Sequence, residues 1–191
     1  MAEPDKSSIP IGERIAYHEA GHAVIGGLLS FPIVSLTMDL SNDDSLMGFV
    51  QFDEDPPGAY EVLRITGAEP SLADRAVLTA WLDRYAIRCL AGGMAEQMLT
   101  GGHWPDSAEN DLGQIHGPAS LILESCGKSA NSAAWSVPTE ASQVCLTRWG
   151  PITKIHVTRA WPWIQSVALA ALDRWSLSEE DIFALRPTAL G

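Results

Sequence analysis

Two histidines four residues apart, His18 and His22, enclose Glu19 in the stretch HEAGH. On an α-helix a four-residue step turns a side chain by about 40° and lifts it by about 6 Å, so both imidazoles can reach one metal ion. Glu19, one position on from His18, then lies beside the ion and not on it, where a general base for a metal-activated water belongs. Zinc lowers the pKa of such a water to about 7, and a neighbouring carboxylate takes the proton as the water attacks a carbonyl. The metal supports the charge that develops on the carbonyl oxygen. Ala20 and Gly21 between the ligands, and the apolar run AVIGGLL after them, place the pattern on the buried side of a helix. Two imidazoles and a carboxylate facing a core are costly without a partner, which favours a metal over a chance surface pair.

A catalytic zinc needs a third protein ligand and an open fourth position. The extended pattern HExxHxxGxxH is excluded, because position 28 is Leu28. A glutamate on the next helix, about twenty residues on, also fits badly. The acids in that window are Asp39, Asp43, Asp44, Asp53, Glu54 and Asp55, and they fall on predicted strand and turn. Better candidates lie later, at Glu96 in AGGMAEQ and Asp111 in AENDL. His103 and His116 read as polar loop or helix residues. Cys89, Cys126 and Cys145 are far apart with no CxxC pair. They read as reduced, buried thiols of a cytoplasmic protein, neither zinc ligands nor a disulfide framework.

The elements that must position these groups are mostly helical. After a disordered tail at residues 1–9, apolar spacing predicts a helix from about Ile11 to Leu29, stopped by Phe31-Pro32. Alternation predicts strands over Val34–Leu40 and Met47–Phe52, joined as a hairpin or small meander. Residues 53–70 read as an acidic, proline-containing loop with one short helix. Ser71 and Asp74 cap a long helical segment running to about Leu99, one helix or two broken near Gly92-Gly93. Ser107 or Asp106 can cap the next helix, which contains Pro118. Further helices are predicted over 131–148 and 152–175, with a kink at Pro162, and Ser178 to Asp181 caps a last short one. The expectation is one domain over 10–191, mainly α with one small β-sheet or hairpin. Twelve Lys and Arg against 24 Asp and Glu leave a net charge of −12 and no basic cluster, which argues against nucleic acid or an anionic membrane as partner. No apolar run is long enough for a membrane anchor. The seven tryptophans therefore read as core anchors and not as a base-stacking platform.

Three stretches in order, IAYHEAGHAV (15–24), AGGMAEQMLTGG (91–102) and SAENDL (107–112), resemble the peptidase domain of the FtsH-type ATP-dependent zinc metalloproteases. That family shows AYHEAGHA, then a GGRAAEE-like helix, then a TGASNDL-like helix start. The resemblance spans roughly residues 10–185. It implies a mostly helical fold and zinc held by His18, His22 and Asp111, with Glu19 as catalytic base. It implies Glu96 as an acid behind the ligands, orienting one of them. The stretch Leu46 to Val50 is similar to the family's LGYT strand, so Met47, Gly48, Phe49 and Val50 would line the cleft, and an extended peptide would add there as a further strand.

Departures narrow what carries over. The sequence holds no GxxxxGK[ST] loop and no membrane span, so the resemblance implies a peptidase without its motor, fed by a separate ATPase partner or acting on polypeptide that is already unfolded. The family's ring assembly implies a homo-oligomer. Glu109 stands where the family tends to have serine, and residues 53–70 look longer and more acidic than its usual connection. The expected activity is that of a zinc endopeptidase on unfolded or flexible polypeptides. The rival expectation is a catalytically silent metal-binding interaction protein on the same scaffold, against which Glu19 argues, since a structural zinc site needs no base. A hydrolase of small amides is a third.

Overall fold

The computed structural model describes residues 9–39, 47–53, 55–102, 104–126 and 138–188. The protein is mainly helical with one small antiparallel sheet. Helix α1 (Ile11–Leu28) begins after Pro10 and is buried on nearly every side from Ala16 to Gly26. Its neighbours are α3 (Leu72–Thr100) and α5 (Pro138–Arg174), and α4 (Glu109–Ser125) packs on α3. The chemistry-bearing helix is therefore central.

Strands β1 (Ile33–Asp39) and β2 (Met47–Phe52) pair antiparallel, with Leu36 opposite Val50 and Met38 opposite Gly48. On β2, Met47, Phe49 and Gln51 are exposed while Gly48, Val50 and Phe52 are half-buried, the alternation that one covered face requires. A third strand, β3 (Ser176–Ser178), adds to the far side of β1, giving the order β2-β1-β3. Three residues carry too little pattern to read from sequence. They pair because the chain leaving α5 returns beside β1, with Leu177 opposite Leu36.

The short helix inside 53–70 is α2 (Gly58–Thr66), closed by Gly67 in the left-handed region at φ 64°. Ser71 caps α3 by accepting from Asp74 N–H, and Ser178 and Asp181 form a reciprocal cap on α6 (Glu179–Ala184). Of the two alternatives for α3 the unbroken one is observed: it runs 29 residues through Gly92-Gly93. One expectation needs correction. The helices predicted over 131–148 and 152–175 are one helix, α5, continuous past Gly150, Pro151 and Pro162. Both prolines are exposed, as are Thr147 and Thr158, whose carbonyls lose an N–H partner to them, so water can satisfy those oxygens. On the opposite face Cys145, Trp149, Val157, Trp163, Ile164 and Val167 are buried, which outweighs the proline cost of about 3 kcal/mol each. The tail at 1–8, the turn after β1, His103 and the start of the 131–148 helix lie outside the described residues.

Candidate metal centre

Five buried ionisable side chains, His18, Glu19, Arg88, Glu96 and Asp111, gather where α1, α3 and α4 meet. Each needs a partner in the interior, and the partners define the site.

His18 and His22 project from one face of α1 toward α3. They fit because α3 presents Gly92 there: a β-carbon at that position would collide with His22 Nε2 and lie 2.7 Å from His18 Nε2. His22 Nδ1 lies 2.9 Å from the Arg88 carbonyl oxygen. A carbonyl only accepts, so Nδ1 of that ring donates, and in the neutral ring Nε2 keeps its lone pair. His18 Nδ1 lies 3.2 Å from Glu96 Oε2, and the same reasoning leaves its Nε2 as a lone pair. Glu96 is itself held, by Arg14 Nε at 2.8 Å, Arg14 Nη2 at 2.5 Å and the Ser107 hydroxyl at 2.7 Å. Ser107 was expected as a helix cap. Neither it nor Asp106 caps: a 3-10 turn at Asp106–Ala108 leads into α4, and the Ser107 hydroxyl is spent on Glu96.

The two Nε2 atoms are 3.1 Å apart. Asp111, from the first turn of α4, brings Oδ2 to 3.0 Å from His18 Nε2 and 3.3 Å from His22 Nε2. That oxygen is enclosed and, despite this closeness, accepts no well-formed hydrogen bond. With both rings neutral, three lone-pair atoms converge on one point; without an ion there, a proton on His18 Nε2 is directed at Asp111 Oδ2. Nitrogen and oxygen ligands about 2.0–2.1 Å from a tetrahedral ion lie about 3.3 Å from one another, so the observed spacing suits a divalent metal. Among the described residues this is the one group of His, Cys, Asp or Glu so disposed.

Without an ion, the electrostatics favour a proton on His18 between two ionised carboxylates. Burial works against a charged His18, yet the Asp111 and Glu96 carboxylates outweigh it and push its pKa up to about 10. Burial also works against charge on Asp111, and the two imidazoles outweigh it, holding its carboxyl well below the usual range. Glu96 is likewise penalised by burial but brought down to about 2 by His18, Ser107 and Arg14. Glu19 behaves oppositely. Burial raises its pKa above the ordinary carboxylate value, only partly offset by the two histidines and a hydrogen bond from the Val50 backbone.

Glu19 and Gly48 stand between two cavities and line both. One, of about 190 Å³, is also lined by His22, Phe49, Val50, Phe52, Arg88 and Asp111. The other, of about 320 Å³, is lined by Ile15, His18, Met47, Glu96 and Asn110. Each of the four strand residues singled out in the sequence lines one or both of these cavities. Gly48 is needed there, since a β-carbon would lie 2.5 Å from Glu19 Cγ. Glu109 is exposed at the start of α4 and outside the ligand group. His116 faces Ser142 on α5, and burial lowers its pKa. Sequence reasoning missed Arg14, the site role of Ser107, and Arg88. Arg14 carries a readable signal, since it precedes His18 by four residues and shares its helix face.

The class that fold and site define is a mainly α protein in which His18, His22 and Asp111 form a group with metal-ligand spacing, and the Glu19 carboxylate lines the cleft beside it. Neither protein-family models nor curated proteins provide a match to this chain.

Proposed function

We propose that this chain is a zinc-dependent endopeptidase of the FtsH type, acting in the cytoplasm on unfolded or flexible polypeptide. The observation that carries the reading is the convergence of two Nε2 lone pairs and Asp111 Oδ2, with the Glu19 carboxylate in the cleft beside them. His18, His22 and Asp111 would hold the ion, and zinc suits two imidazoles and a carboxylate. When bound, it supplies a Lewis acid that acidifies water and polarises a carbonyl.

The chain's own groups do the rest. A Glu19 carboxylate oxygen accepts the proton of the attacking water and returns it to the departing amide nitrogen. Its raised pKa suits a group that must take up a proton and give it back. Glu96 and the Arg88 carbonyl fix the rotation of the two imidazoles, so the lone pairs stay aimed at one point. Among the described residues, strand β2 has a sheet neighbour on one side only, and its other edge can take an extended peptide across Gly48. A separate ATPase feeding substrate, and self-assembly of the chain, belong to the same reading through the resemblance.

The test is digestion of an unfolded-peptide library by zinc-loaded protein beside Glu19→Gln. The variant should retain zinc and lose about 10²–10⁴-fold in rate. Loss of zinc together with activity would remove Glu19 from the role of base. Zinc bound by a wild type that cuts nothing would favour the silent metal-binding protein.

A further inference from the structure

Strand β2 runs beside the Glu19 carboxylate and carries an arrangement that the hydrolytic groups do not use. Among the described residues it is an edge strand, and its sequence, MGFVQF, contains no charged residue and no proline. Sheet edges are commonly protected by such residues, because their unpaired N–H and C=O groups recruit other strands. Met47 and Phe49 are 62% and 53% exposed, although both are large apolar side chains. Gly48 between them faces the other way: a β-carbon there would lie 2.5 Å from Glu19 Cγ and 2.8 Å from Ile15 Cγ2, both on α1. The strand therefore turns bare backbone toward Glu19 and two apolar side chains away from it. Phe49 lines the smaller cavity and Met47 the larger, so the edge opens onto the space beside the ligand group.

A peptide added to this edge takes up the same alternation. The residue set against Gly48 turns toward α1 and Glu19. The residues on either side of it turn outward, beside Met47 and Phe49. Directly opposed side chains of neighbouring strands have β-carbons about 4.5–5.5 Å apart, and aromatic and β-branched pairs are favourable there. Acidic residues gain nothing from such neighbours. Asp39 stands opposite Met47 on β1 and Asp53 follows β2, both exposed, and the net charge is −12, so an acidic residue in the added strand is repelled.

We propose that Met47 and Phe49 are specificity-determining residues, which select extended segments with aromatic or β-branched apolar side chains two residues apart, astride the residue set against Gly48. This rests on the peptidase reading and names its substrate class, polypeptide whose own pattern is that of a β-strand.

The test uses zinc-loaded protein and peptides of one host sequence, in which each position around the cleaved bond is Ala, Val, Phe or Glu in turn. In the wild type, Val and Phe should exceed Ala in kcat/KM by about 1.5–5-fold at two positions spaced by two, and Glu should fall below Ala there. Phe49→Thr should remove the preference at one of these positions and Met47→Thr at the other. Both side chains are exposed and threonine suits a strand, and the wild-type spacing decides without any variant. No preference at any position, or preferences at adjacent positions only, overturns the inference, as does a pattern unchanged in both variants. A second copy seated on the edge would show as a dimer in sedimentation that Phe49→Thr dissociates, with no preference among the peptides, and overturns it too. If the wild type cleaves nothing, the peptidase reading fails by itself. The selection is then judged by fluorescence anisotropy of the same peptides, labelled, on zinc-loaded protein, where equal affinity for the Ala, Val and Phe versions overturns it.

Discussion

Glu96 is the residue on which the aim of His18 depends. Its carboxylate takes the His18 Nδ1 proton on one side and is clamped by Arg14 and Ser107 on the other. Losing an outer partner of this kind costs about 10–100-fold in metal affinity. Glu96→Ala should fall in that range by competition with a zinc chelator, with the zinc stoichiometry preserved at saturation. Asp111→Ala should fall further, since it removes a ligand atom and not its support. Unchanged zinc affinity in Asp111→Ala would mean that the third ligand is another residue. The grouping of His18, Glu19 and His22 was legible because their relation is local, fixed by helical spacing alone. Arg14 has the same local relation to His18, yet its role needs Glu96, which arrives from a helix far along the chain.

At the scale of elements, the approach of α1 to α3 decides the site. Gly92-Gly93 left open whether α3 is one helix or two, because glycine weakens a helix interior. The helix persists because its buried face gains more than the glycine loses, and the missing side chain makes room for the two imidazoles. Gly92→Ala therefore raises helix propensity and should still destabilise the fold by about 1–3 kcal/mol through overpacking, with a marked loss of zinc affinity. Gly113→Ala is the opposite case. It is exposed in α4, and an added β-carbon meets nothing within 4 Å. That substitution should stabilise by about 0.4–1 kcal/mol and leave zinc affinity unchanged. Paired thermal unfolding and chelator titration check both, and a stabilised Gly92→Ala with full affinity would contradict the packing argument.

For the whole molecule, a bound ion would tie α1 to α4, which the chain joins only through the sheet, α2 and α3. Anything that binds the native state alone stabilises it by mass action, by about 2.7 kcal/mol at a free concentration of 100 times Kd. Removing zinc with a chelator should therefore lower the unfolding temperature, and calorimetry in zinc-buffered solution should show the shift growing with the logarithm of free zinc. In Asp111→Ala the shift should shrink. No described helix is long and apolar enough to cross a membrane.

The mainly α architecture with one small sheet was legible in the pattern of apolar residues, and so were the caps at Ser71 and Ser178, because periodicity and capping are properties of a few neighbouring residues. The HEAGH pattern belongs with them. What the tertiary structure decided were the relations between distant segments. Asp111 and Glu96 were both open as third ligand from the residues themselves. The fold separates them, setting Asp111 against the two Nε2 atoms and Glu96 behind His18, on its Nδ1. The third strand, the unbroken path of α5 past two exposed prolines and the placing of Arg88 in the cleft were decided in the same way. Each depends on which surfaces meet after the chain has closed on itself, and burial free energy there exceeds the local preferences that a sequence displays.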